Sequence, residues 1–136
     1  MIEGEILEKV KRLVRKSGIV FLATTDRKGT PHIAASEGMT FTEDGKALFK
    51  AWFCLKTIEN LSENGKLSLA ILNPKTKEGY QILGEIERID RGAILDGYGP
   101  DNEEKWAGYP QAEHQLLIRV QKVASLTSGP HSDEFI

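Results

Sequence analysis

Apolar residues fall at helical spacing near the start of the chain. Ile6, Leu7, Val10, Leu13 and Val14 share one face of Ile2 to Ser17, while Glu5/Lys9 and Glu8/Arg12 stand one turn apart on the polar side. Gly18 ends that helix. From Ile19 the pattern becomes that of strands and turns. A strand apolar on both faces, Ile19 to Thr24, turns at Asp26 to Gly29 into a second strand starting at His32. GMTFTEDGKALFKAWF predicts another hairpin around Glu43 to Lys46. A short amphipathic helix follows, with Thr57 as N-cap, Ile58 and Leu61 on one face, and Asn64 and Gly65 as the stop. Leu67 to Leu72 and Tyr80 to Ile89 read as two further strands, separated by the polar loop Asn73 to Gly79. Arg91 to Tyr98 is expected to form a short helix, and a Gly/Pro-punctuated loop has room for a helical turn at Asn102 to Trp106. In the last strand, Leu116, Ile118 and Val120 alternate with Leu117, Arg119 and Gln121, and a polar tail runs from Thr127 to Ile136.

Six or seven strands with two or three helices in 136 residues suit a single α+β domain, mainly β, spanning 1–136. The strands arrive as consecutive hairpins, so a small antiparallel barrel is expected in place of a doubly wound parallel sheet. Composition narrows the function. The net charge of −2, with basic residues interspersed among acidic ones, argues against a nucleic-acid groove. No apolar run is long enough to span a bilayer and no apolar signal core follows Met1, so a cytoplasmic protein without a membrane partner is expected. The single cysteine, Cys54, excludes an intrachain disulfide and reads as packing. His32, His114 and His131 lack metal-ligand spacing.

The stretch AWFCLKTIENL carries the candidate chemistry. It ends an apolar strand, places Lys56 beside Thr57 and starts a helix, so unpaired N–H groups and the positive end of a helix dipole sit next to a lysine. That turn suits a phosphate, and equally a solvated lysine at a strand-to-helix junction.

The runs FLATTDRKGTPHIA, LFKAWFCLKTIENLSENGKLSLAIL and GYQILGEIERI, in this order and spacing, resemble the flavin-binding split-barrel family of pyridoxamine 5'-phosphate oxidase-like and small FMN-binding proteins. The resemblance runs from the first helix to LLIRVQKVASLTSGP. It implies a six- to seven-stranded antiparallel split barrel with flanking helices, forming a homodimer with FMN at the interface. Lys56 and Thr57 match the family's phosphate-binding pair. Ser36, at the end of PHIAAS, is the implied third contributor, with Ala35 offering backbone. Lys50, Ala51, Trp52 and Phe53 correspond to the strand that lines the flavin ring.

The chain also departs from the small FMN-binding proteins, with Trp52 and Phe53 where they have small residues and Glu37 where they have an aromatic one. Side-chain packing at the barrel rim or dimer interface is the plainer role for Trp52 and Phe53. Lys50 interrupts the run ALFKAWF and reads either as a surface lysine or as a cation near the flavin's pyrimidine edge. Trp106, Tyr109 and the tail GPHSDEF are candidates for covering the flavin from the partner subunit. The resemblance thus implies a flavoprotein acting in electron transfer or as a small flavin oxidoreductase, with an unknown redox partner and no catalytic residue of its own. A deazaflavin-using enzyme, and a non-enzymatic flavin or haem sensor or store, are the alternatives. A true pyridoxamine 5'-phosphate oxidase is disfavoured, because the tail SGPHSDEFI has no arginine for a substrate phosphate.

Overall fold

A computed structural model describes residues 4–91 and 111–136, with backbone alone for 51–54, 91 and 111–113. The order is α1 (Gly4–Ser17), β1 (Val20–Thr25), β2 (Pro31–Ser36), β3 (Met39–Phe41), β4 (Ala47–Cys54), α2 (Leu55–Glu63), β5 (Lys66–Leu72), β6 (Gly79–Arg91) and β7 (Gln111–Ser125). The strands form one sheet in the order β2-β1-β5-β6-β7-β4-β3, antiparallel at every pairing. Although β2 and β3 are its edges, β2 also packs against β4, so the sheet curls into a split barrel within a mainly β, α+β fold. No described helix is long and apolar enough to cross a membrane.

Period-two alternation puts Val20, Leu22, Phe49, Leu69, Ile71, Ile82, Leu116 and Ile118 inside the curl, each at most 1% exposed. From α1, Val10, Leu13 and Val14 join the same cluster, and Leu61 joins from α2. Gly18 ends α1 with φ +75° and donates its N–H to the Val14 carbonyl at 2.9 Å, a left-handed cap that a residue with a Cβ adopts at a cost. β6 and β7 form the longest ribbon, with register shifts at Leu83/Gly84 and Ile86/Arg88. At Gly84 a Cβ would stand 2.7 Å from Ile118 Cγ2, so the bulged strand closes onto β7 only with glycine there.

Several boundaries differ from the sequence reading. β1 runs from Val20 to Thr25, β2 begins at Pro31, and β6 and β7 are longer than expected because they pair with each other. Arg91 belongs to β6, and the remainder of the expected 91–98 helix lies outside the described residues, as does the turn at 102–106. Helix α2 begins at Leu55, so Thr57 lies in its first turn and is not the N-cap. Its buried face is also rotated from the expected one. Thr57, Asn60 and Leu61 are buried, whereas Ile58 is only half-buried, because α2 meets polar residues of β1 as well as the core.

The strand predicted to be apolar on both faces is β1, and its outer face is exposed at Phe21 and half-buried at Ala23 and Thr25. Phe21 is 48% exposed, and Ile33 on β2, which stands opposite Ala23, is 68% exposed. Ile19, just before β1, is exposed as well.

Candidate phosphate turn and flavin site

Three elements converge where the sequence pointed: β2, β4 and α2 are in mutual contact. β4 runs directly into α2, which leaves Lys56 in the first helical turn. The first four N–H groups of a helix have no carbonyl partner within it, so this turn presents backbone donors beside a lysine. The Lys56 side chain is 47% exposed and its Nζ lies 3.9 Å from Asp26 Oδ2. That distance is too long for a hydrogen bond, so the ammonium keeps its donors for another acceptor.

Among the described residues, the β4 backbone leading to this turn is strand-paired along one side only. β3 pairs with β4 only from Ala47 to Phe49, whereas β7 pairs with it from Ala47 to Cys54. From Lys50 to Phe53, therefore, β7 is the strand paired with β4 among the described residues. Lys50, Ala51, Trp52 and Phe53 stand opposite Gln115, His114, Glu113 and Ala112 of β7. The Lys50 side chain is exposed.

The other predicted residues fall into two groups. Ser36 is 6% exposed and donates its hydroxyl to the Glu37 carbonyl at 3.1 Å. Thr57 is fully buried. Ala35 and Glu37 are exposed, with Ala35 opposite Phe21 on the outer face. Trp106 and Tyr109 lie outside the described residues.

Sequence reasoning missed the polar seam that holds α2 in place. Asn60, fully buried, donates from Nδ2 to Thr24 Oγ1 at 3.1 Å. Asn64, just past the helix, donates to Thr25 Oγ1 at 3.0 Å. Arg27 Nε approaches Glu63 Oε2 at 4.0 Å, and Lys56 faces Asp26 as described. All four links run from α2 or its C-terminal edge to Thr24, Thr25, Asp26 and Arg27 at the end of β1. Buried Asn60 Oδ1 has no hydrogen-bond partner among the described residues. A signal was present in KTIENLSEN, where Thr57, Asn60 and Asn64 recur at the three- and four-residue spacing of one helix face.

Asp26 is itself fixed by the hairpin turn. Its Oδ1 accepts the N–H groups of Lys28 at 2.8 Å and Thr30 at 2.9 Å. The Thr30 N–H does most to hold its carboxyl below the ordinary value of 3.8; burial opposes this, and the Lys28 N–H and the Lys56 charge add to it. Among the described residues, no group of three or more His, Cys, Asp and Glu is placed to hold a metal.

These residues fit a phosphorylated flavin. One cation and several backbone donors suit the phosphate, and the backbone of β4 beyond its pairing with β3 suits the polar rim of a flat ring.

Comparison with known proteins agrees with this architecture. The family described as "Pyridoxamine 5'-phosphate oxidase" matches residues 6–126. An uncharacterized protein of Methanocaldococcus jannaschii is 30% identical over 138 residues, covering 95% of this chain and 85% of that protein. Among solved structures, an FMN-binding protein from Syntrophomonas wolfei superposes with a TM-score of 0.70 at 20% identity, covering 93% of this chain and 89% of its own. HupZ of Group A Streptococcus superposes at 0.67 with 24% identity, covering 97% of this chain and 99% of its own. With the family profile spanning nearly all of the barrel, from α1 to the end of β7, the chain belongs to the pyridoxamine 5'-phosphate oxidase family.

Proposed function

We propose that the protein is an FMN-binding flavoprotein that acts in electron transfer or as a small flavin oxidoreductase. The observation that carries this reading is the continuity of two features. The stretch of β4 from Lys50 to Phe53, which pairs with β7 alone among the described strands, runs straight into the helix start that bears Lys56. In this arrangement Lys56 and the first-turn N–H groups of α2 hold the phosphate, with Ser36 and Thr57 behind them. Backbone groups of Lys50, Ala51, Trp52 and Phe53 hold the edge of the ring. The similarity in fold to an FMN-binding protein from Syntrophomonas wolfei supports the choice of cofactor.

When bound, FMN supplies reversible uptake of one or two electrons. The chain's own residues position it and set its potential. Lys50, exposed on β4, is the residue proposed to lie near the pyrimidine edge, where a cation favours the reduced, anionic ring over the oxidised one. On that reading Lys50→Met lowers the midpoint potential in spectroelectrochemistry with FMN saturating. An unchanged midpoint assigns Lys50 to the barrel surface.

The same reading places the flavin at a homodimer interface. The exposure of Ile19, Phe21 and Ile33 supports this, since grouped exposed apolar side chains mark association surfaces. The deciding experiment is an absorption spectrum of the purified protein, cofactor extraction, and titration of the apoprotein with FMN and riboflavin. A flavin spectrum, extracted FMN and tighter binding of FMN are expected. Equal affinity for riboflavin would remove the phosphate assignment. Sedimentation at micromolar concentration tests the dimer, and a monomer that keeps its FMN would refute the interface.

A further inference from the structure

The phosphate turn contains a carboxylate as well as a lysine, and the two are held very differently. Asp26 is anchored: Oδ1 is occupied by two backbone N–H groups, which leaves Oδ2 facing Lys56, and its side chain is only 18% exposed. Lys56 is 47% exposed and carries its charge on a flexible stem. Of the pair, the lysine can move to a new partner and the aspartate cannot. An arriving phosphate therefore meets a formally neutral pair beside the helix N–H groups, in place of an isolated cation.

We propose that Asp26 is the resident counter-ion of Lys56, from which the lysine is drawn away when a phosphate binds, and that it limits the preference for phosphorylated over unphosphorylated flavin. This rests on the phosphate assignment made above for Lys56. The two groups stand 3.9 Å apart, beyond hydrogen-bond distance. At that separation the carboxylate offsets the lysine charge without consuming its donors. After binding, the same fixed charge repels the phosphate. The neighbouring pair, Arg27 with Glu63 at 4.0 Å, is already balanced and adds no net charge to the turn.

The test is a double-mutant cycle read by FMN and riboflavin affinities in Asp26→Asn, Lys56→Ala and the double variant. Asparagine keeps an acceptor oxygen for the Lys28 and Thr30 N–H groups, so the hairpin turn is retained; the circular dichroism spectrum and Tm check this. Asp26→Asn is expected to bind FMN about fivefold tighter, with riboflavin affinity unchanged. In the Lys56→Ala background the gain should fall to about twofold or less, because the lysine is no longer there to be released. A preference for FMN that Asp26→Asn leaves unchanged or weakens overturns the counter-ion role and spares the phosphate assignment. A gain of equal size without Lys56 overturns it too, since Asp26 would then act on the phosphate alone. Equal affinity of the unmodified protein for FMN and riboflavin overturns both.

Discussion

Helix α1 buries Val10, Leu13 and Val14 in the apolar core, whereas helix α2 buries Thr57 and Asn60 beside Leu61. Apolar contacts are non-directional, so the seat of α1 is defined by volume and shape. Hydrogen bonds have direction. Asn60 to Thr24 and Asn64 to Thr25 fix the rotation and axial position of α2 to within the reach of a hydrogen bond. The difference follows what each helix carries: α1 closes the core, and α2 presents the first-turn donors and Lys56. A polar seam is less stabilising per residue than an apolar one, because each buried amide exchanges water partners for protein partners. Its return is placement.

The contrast can be broken by substitutions whose effects on stability and on ligand binding separate. Leu13→Ala should have the largest effect, about 3 kcal/mol of lost stability in urea denaturation, through the cavity left in the core. FMN affinity of the folded fraction should not change. A matching loss of affinity would mean that α1 also shapes the site.

Lys56→Ala comes next and should do the reverse. It is expected to weaken FMN binding about 10- to 100-fold, leaving riboflavin binding and the urea midpoint near their original values. Calorimetric titration with both ligands reads this directly.

Asn60→Ala should lie between the two in kind and below them in size. About 1 to 2 kcal/mol of stability is expected to go with the Thr24 bond, together with part of the preference for FMN over riboflavin as α2 loses its alignment. If stability falls and the preference stays intact, Leu61 and Thr57 are sufficient to seat the helix.

The smallest effect concerns acid. The Asp26 carboxyl titrates below its ordinary value of 3.8 in the folded protein, so its contribution is complete above that pH and disappears as pH falls through the folded value. Asp26→Asn should remove this segment from the acid limb of a stability-against-pH curve, with no change near neutrality beyond that of the substitution itself.

Much of the barrel was legible because its strands obey a period of two. Leu116, Ile118 and Val120 announce β7 as plainly in sequence as in structure, and the hairpin turns at Asp26–Gly29 and Thr42–Lys46 carry glycines at positive φ. The Lys56 turn was legible for a related reason, since it is local. The face of α2 was not. Thr57 and Asn60 are polar, and a pattern argument assigns polar residues to solvent unless a buried partner is known. That partner, Thr24, lies on another element. Asp26 was hidden in the same way: its sequence neighbours explain the turn, and only the fold brings it to Lys56. The exposure of Phe21 and Ile33 on β1 and β2 was half visible, since the pattern showed Phe21 to be apolar without showing that the fold leaves it exposed.

The pairing of β4 with β7 has a consequence for how the chain comes to its native state. Ala47 stands opposite Ile118, and β4 has little other strand pairing, because β3 reaches it over only three positions. About half of the chain separates these partners, and contacts between such distant segments require closing a long loop before they give any return. During synthesis β1 and β2 can form their hairpin early, while β4 gains its longest strand partner only once β7 has left the ribosome. The strand that leads into the Lys56 turn is therefore among the last to complete its pairing.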